Sequence, residues 1–221
     1  MHKSIQRNIW LVPDCELAKE KSSALYLIDD SCEEITNAVQ LSDKYRNGSR
    51  VCIQAGGCIG LWPALLSRYF EDVYTFEPDS LNYECMKYNL AGINNIHHQQ
   101  AALGTKPGQC TIQRKEKYEN NCVAGQVIDG NDVDVITIDS LNLNHVDLIW
   151  LDIEGYEVNA LQGAIETIKR CRPVIGVEDY RHWKDYGNIE PQNWLARKLN
   201  YRSLGKVSKH DQMLIPIERY Q

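Results

Sequence analysis

Glycines and acidic side chains recur along this chain at one kind of place, where a short apolar run ends. Residues 51–60, VCIQAGGCIG, put Gly56, Gly57 and Gly60 between a β-like stretch and an apolar, helix-like one. Glycine in such a turn lets the backbone approach a ligand and lets a helix tuck against a sheet. Glu77 stands 21 residues after Gly56 and ends VYTFE. A carboxylate there can accept hydrogen bonds from the hydroxyls of a ribose, so the pattern predicts an adenosine-containing cofactor. Asp152 and Glu178 close two later apolar runs, and His182 follows Glu178 by four residues. Carboxylates can position and deprotonate an acceptor hydroxyl, and a neutral imidazole titrating near working pH can take the proton. The same oxygens suit a hard divalent cation, but no metal site is predicted.

These residues need elements to hold them. Ile35, Ala38, Val39 and Leu41 recur at helical spacing, with Asp30 or Ser31 as the cap and Asn47–Gly48 as the stop. A first core strand leads into the glycine turn. A helix over 61–70 follows, tolerating Pro63 because it lies in the first turn. Residues 73–76 form the second strand, and Pro78, Asp79 and Ser80 open a helix that Gly92 stops. Residues 96–103 read as one polar third strand, and 109–114 as another beyond a turn at Pro107–Gly108. Residues 115–131 are expected to form a mobile loop near the site, and 133–138 a further strand. Residues 146–151, VDLIWL, are apolar enough for a central strand buried on both faces. One helix over 157–169, a strand over 173–177, a helix from Pro191 and a final antiparallel pair over 201–207 and 212–217 complete the chain. Strands alternating with helices predict an α/β, doubly wound, mainly parallel sheet with one reversed strand near the C-terminus. Residues 1–48 are expected as an N-terminal extension with a leading helix, and 49–221 as the Rossmann-like domain.

The bulk properties narrow the class. A chain of 221 residues with 43% hydrophobic and 24% charged content suits one full α/β domain. A net charge of −6 argues against nucleic acid as partner, because neutralising phosphates needs a basic surface. The basic clusters at Arg114, Lys115 and Lys117 and over Arg197–Lys209 are read as solvated faces. No run reaches the roughly 18 apolar residues a membrane span needs, and Pro13 and Asp14 interrupt the apolar start, against a signal peptide. The eight cysteines show no C-x-x-C spacing, which suggests reduced thiols in a cytoplasmic protein.

The glycine turn alone nearly meets the G-x-G-x-x-G fingerprint and leaves a nicotinamide enzyme open. The surrounding motifs add to it: Ile53-Gln54-Ala55-Gly56-Gly57-Cys58-Ile59-Gly60, Phe76-Glu77-Pro78, Thr137-Ile138-Asp139-Ser140-Leu141, Leu151-Asp152-Ile153-Glu154-Gly155-Tyr156-Glu157, Leu161-Gln162-Gly163-Ala164 and Arg172-Pro173-Val174-Ile175-Gly176-Val177-Glu178. In order and spacing this set resembles the FkbM-type branch of the S-adenosylmethionine-dependent class I methyltransferases, over about residues 50–180. The resemblance implies a class I methyltransferase-like, seven-stranded sheet and S-adenosylmethionine as cofactor. It implies cofactor contacts at Gln54, Gly56, Gly57, Cys58, Gly60, Glu77, Pro78, Gln100, Ala101 and Asp152. It implies a place near the transferred methyl for Asp152 and a sugar, glycan or small-metabolite hydroxyl as acceptor; Glu178, ending the next strand, and His182, in the loop after it, are the other catalytic candidates read from the residues themselves. Three positions depart from the family's pattern: Gln54 stands for its acid, Cys58 for its asparagine and Trp150 for its lysine. The departures keep a non-catalytic binding module open as the alternative, with an NAD(P)-dependent oxidoreductase behind it.

Overall fold

The computed structural model describes residues 4–7, 10–13, 33, 35–114, 125–178, 189–208 and 210–220. Its centre is a seven-stranded sheet. In chain order the strands and helices are β1 (Ser4–Arg7), β2 (Trp10–Pro13), α1 (35–43), β3 (Val51–Ala55), α2 (Leu61–Leu66), β4 (Asp72–Phe76), α3 (Ser80–Asn89), β5 (Ile96–Gln99), β6 (Ala102–Leu103), β7 (Gly108–Arg114), β8 (Gly125–Ile136), β9 (Leu148–Leu151), α4 (Glu157–Gln162), α5 (Ile165–Cys171), β10 (Val174–Glu178), α6 (Pro191–Leu199), β11 (Tyr201–Lys206) and β12 (Asp211–Pro216). The strand order is β11-β12-β10-β9-β3-β4-β5. Only β12 runs against its neighbours. This is the predicted doubly wound architecture.

Alternation along the central strands builds the two layers. Ile53, Ala55, Ile149, Leu151, Ile175 and Val177 face one way, against Val158, Leu161, Ile168, Trp194 and Leu195 of α4, α5 and α6. Cys52, Leu148, Trp150, Val73 and Val174 face the other, against Ile35, Ala38 and Val39 of α1, Leu65 and Leu66 of α2 and Met86 of α3. Strands buried on both faces explain the unbroken apolar runs read in the sequence.

Four expectations need correcting. The stretch 96–103 is two strands: β5 ends at Gln99, and Ala102 and Leu103 pair with β8 in a separate three-stranded sheet, β6-β8-β7. Residues 125–131 belong to β8, paired antiparallel with β7, rather than to a loop. The single helix over 157–169 is two, because a Cβ on Gly163 would lie 2.0 Å from the Gly104 carbonyl oxygen, and this close approach bends the chain. Asp139 then caps α5, accepting from the Thr167 N–H at 2.7 Å and the Glu166 N–H at 3.1 Å. Finally, Arg114 is no solvated residue: its side chain is 20% exposed and ion-paired to Asp79. The expected cap at Asp30 or Ser31, residues 115–124 of the expected loop and His182 lie outside the described residues. Cys52, Cys58, Cys85, Cys110 and Cys171 are free thiols. No described helix is long and apolar enough to cross a membrane.

Candidate active site

The strand order reverses between β3 and β9: the chain continues from β3 to β4 and β5 on one side and from β9 to β10 on the other. A crevice outside the carboxyl ends of the strands forms at such a switch point. The glycine turn, Glu77, Asp152 and Glu178 all lie at this end of the sheet, as the sequence placed them.

The glycine turn is shaped by its neighbours. Gly56 adopts φ +85°, and a Cβ there would sit 1.9 Å from the Asp152 carbonyl oxygen. The Asp152 N–H in turn donates to Ala55 O at 3.1 Å, so the turns after β3 and β9 pack back to back. A Cβ on Gly57 would meet Met86 Sδ at 2.6 Å. Its N–H groups are largely committed within the protein. Gly56 and Gly57 donate to Phe76 O, Gly60 to Gly57 O, and Cys58 to Glu77 Oε2 at 2.7 Å. A pyrophosphate cradle needs such donors free. The turn therefore suits a nucleoside without phosphates better than a dinucleotide, which weighs against the nicotinamide reading.

Glu77 is 5% exposed and staples this turn to the next helix. Besides the Cys58 N–H it accepts the Asp79 N–H on Oε1 at 2.9 Å. Burial pushes its carboxyl up to about 7, against the opposing pull of these N–H groups. Asp79 caps α3, its Oδ1 accepting from the Leu81 and Asn82 N–H groups at 3.0 Å each. Gln100 donates to Pro78 O at 3.4 Å, and Ala101 is buried in the core beside it.

Gln54 lies beneath the turn with no exposed surface. Its Oε1 accepts from Thr75 Oγ1 at 2.5 Å, and its Nε2 donates to the carbonyls of Ala55 and Gly56. The expected side-chain contact with a cofactor is thus replaced by support from below: both ends of the amide are occupied by the fold. Trp150 is its lateral neighbour across the sheet, 1% exposed, and stacks on Trp62 with ring centroids 4.7 Å apart. A Cβ on Gly176 would lie 2.2 Å from that indole, so glycine at 176 makes the room tryptophan needs at 150. Both side chains are thus held within the packed sheet. Cys58 is different: it holds φ +46°, a left-handed conformation that asparagine tolerates better.

The far side of the crevice is acidic. Asp152 and Glu178 end neighbouring strands, each one residue past the paired Leu151 and Val177, and two carboxyls so placed can bond only with a proton between them. Burial, and after it the charge of Glu157, lifts Asp152 to about 6. Burial, and after it the charges of Asp152, Glu154, Glu157 and Asp211, lifts Glu178 as well, so the pair together favours holding a proton. Glu157, 1% exposed, was quoted in the sequence only as part of a motif, and it shapes this corner. Its Oε1 accepts from the Ile153 and Gly155 N–H groups at 3.0 and 3.2 Å, fixing the turn that carries Asp152. Glu154 and Gly155 both take positive φ within that turn. Among the described residues no group of three or more His, Cys, Asp or Glu side chains is arranged to hold a metal ion.

The sequence model of the methyltransferase FkbM domain matches residues 54–203, more than half of the chain. In three dimensions the chain is similar to methyltransferase FkbM from Methylobacillus flagellatus KT, with 20% identity and a TM-score of 0.52 over 75% of this chain and 43% of that one. The chain thus spans less than half the length of that structure. It is also similar to a ribosomal protein L11 methylase from Lactobacillus delbrueckii subsp. bulgaricus (11% identity, TM-score 0.49, 83% and 78% covered). A third likeness is to an rRNA methylase from Streptococcus thermophilus (12% identity, TM-score 0.48, 86% and 96% covered). No curated protein matches the sequence. The cofactor that accompanies this domain is S-adenosylmethionine, a nucleoside without phosphates, which fits a turn whose donors are largely committed within the protein. With the FkbM profile running from the glycine turn through β10 and into β11, the chain belongs to the FkbM methyltransferase family.

Proposed function

We propose that this chain is an S-adenosylmethionine-dependent O-methyltransferase acting on a hydroxyl of a sugar, a glycan or a small metabolite. The observation that carries the reading is the placement of Asp152 and Glu178 at the ends of the paired strands β9 and β10, beside the glycine turn, where two buried carboxyls favour holding a proton. The bound cofactor supplies an already electrophilic methyl group. This chain's residues supply alignment and a place for the departing proton. Glu77, with Gly56, Gly57, Cys58 and Gly60 and the chain at Pro78, Gln100 and Ala101, holds the nucleoside, and Gln54 stiffens the turn from beneath. Asp152 accepts the hydroxyl proton. Glu178 remains protonated and orients Asp152 through the bond it donates. His182 is a second candidate for proton acceptor.

The test is incubation of the purified protein with methyl-labelled donor and whole-cell extract, followed by fractionation of the product. Label in the glycan or small-molecule fraction, as an ether, is the expected result. Label in protein or nucleic acid contradicts the acceptor class. Binding of the cofactor product without any transfer supports the binding-module alternative instead.

A further inference from the structure

Two consecutive peptide planes of the glycine turn are each held at both edges. The Gly56 N–H donates to Phe76 O at 3.1 Å, and the Gly57 N–H to the same oxygen at 3.0 Å. At the opposite edges Gln54 Nε2 donates to Ala55 O at 3.1 Å and to Gly56 O at 3.0 Å. One side-chain amide thus gives both of its hydrogens to neighbouring carbonyls of the same turn. Carbonyl oxygens only accept, so the amide nitrogen must face them and the amide oxygen must face away. That oxygen accepts from the Thr75 hydroxyl at 2.5 Å, and both residues are fully buried. Thr75 lies close beneath the turn: a Cβ on Gly57 would sit 3.0 Å from its Oγ1. Valine at 75 would take away the donor of the buried Gln54 oxygen. A carboxylate at 54, the residue type of the family's pattern, would set an oxygen without a hydrogen against the two carbonyls. The amide at 54 is therefore a donor this turn requires, not a weakened acid.

We propose that Thr75 is a positioning residue for the cofactor: its hydroxyl orients the Gln54 amide, and that amide holds the Ala55 and Gly56 carbonyls in the shape on which the nucleoside rests. The assignment rests on the methyltransferase reading above. It makes β4, through the Thr75 hydroxyl and the Phe76 carbonyl, the element that sets the turn after β3. Restoring the family's acid at 54 then loosens the turn instead of improving it.

The test is calorimetric titration of wild type, Thr75→Val, Thr75→Ser and Gln54→Glu with S-adenosylhomocysteine, each well below the melting temperature of the unliganded protein. Valine keeps the shape of threonine without the hydroxyl, and serine keeps the hydroxyl without the methyl. The expected result is an affinity about tenfold lower in Thr75→Val and in Gln54→Glu, with Thr75→Ser within about threefold of wild type. The Gln54 side-chain amide signals in nitrogen-15 spectra should shift when the ligand is added to wild type, and should lose exchange protection in unliganded Thr75→Val. Wild-type affinity in Thr75→Val, an equal loss in Thr75→Ser, tighter binding by Gln54→Glu, or amide signals indifferent to ligand and to Thr75→Val overturns the assignment alone. The two Thr75 variants decide it if Gln54→Glu does not fold. Failure of wild type to bind S-adenosylhomocysteine overturns the methyltransferase reading and this assignment with it.

Discussion

Glu77 and Glu178 are the same residue type at the same end of the same sheet, yet their surroundings give them opposite work. Glu77 meets donors: the N–H groups of Cys58 and Asp79 bind its two oxygens and tie the glycine turn to α3. Glu178 meets acids, with Asp152, Glu154, Glu157 and Asp211 all raising its affinity for a proton. One side of the crevice is a scaffold of committed hydrogen bonds, and the other stores a proton next to a carboxylate. Position in the fold brings a carboxyl to this end of the sheet, but the neighbours decide whether it holds backbone donors or a proton.

The comparison breaks most visibly at Asp152. Replacing it by asparagine should lower methyl transfer by about 10²–10⁴-fold, with binding of S-adenosylhomocysteine kept within a few-fold. Because its carboxyl sits at about 6 and must be ionised to accept a proton, wild-type turnover should rise with pH through that region and level off above it. Glu178→Gln keeps a donor towards Asp152, so it should cost turnover far less than Asp152→Asn. Equal losses would refute the division of labour within the pair.

Glu157 sharpens the contrast through stability. Its folded-state pKa of about 7 lies above the unfolded value of about 4.3, so the folded chain binds this proton more tightly. The resulting stability is full below the unfolded value and is lost as pH rises through 7, an effect on the order of 3 kcal/mol. Glu157→Gln keeps the acceptor for the Ile153 and Gly155 N–H groups and should flatten denaturant midpoints between pH 4.5 and 8. The smallest effect is expected on the scaffold side. Cys58→Asn, which suits φ +46°, should stabilise the fold by about 0.5–1 kcal/mol in denaturant unfolding.

What was legible in the sequence was local or periodic. The glycine turn, Glu77, Asp152 and Glu178 announce themselves because each ends an apolar strand, and the two-sided burial of β3, β9 and β10 shows in their unbroken apolar runs. What was hidden depends on contacts between distant residues. The split of α4 from α5 follows from Gly163 meeting Gly104, and the departure of β6 from the main sheet follows from its pairing with β8. Gln54 reads as a weakened cofactor ligand until Thr75 is seen bonding its amide. Trp150 reads as a lost lysine until Gly176 and Trp62 are seen making room for the indole. Arg114 looked like a surface charge because nothing in its own segment reveals Asp79, 35 residues earlier.

The most direct measurement is a calorimetric titration of wild type and Glu77→Ala with S-adenosylhomocysteine at neutral pH. Saturable one-to-one binding by wild type, weakened at least tenfold in the variant, is the predicted result. A wild-type protein that gives no binding heat at millimolar ligand would contradict the account.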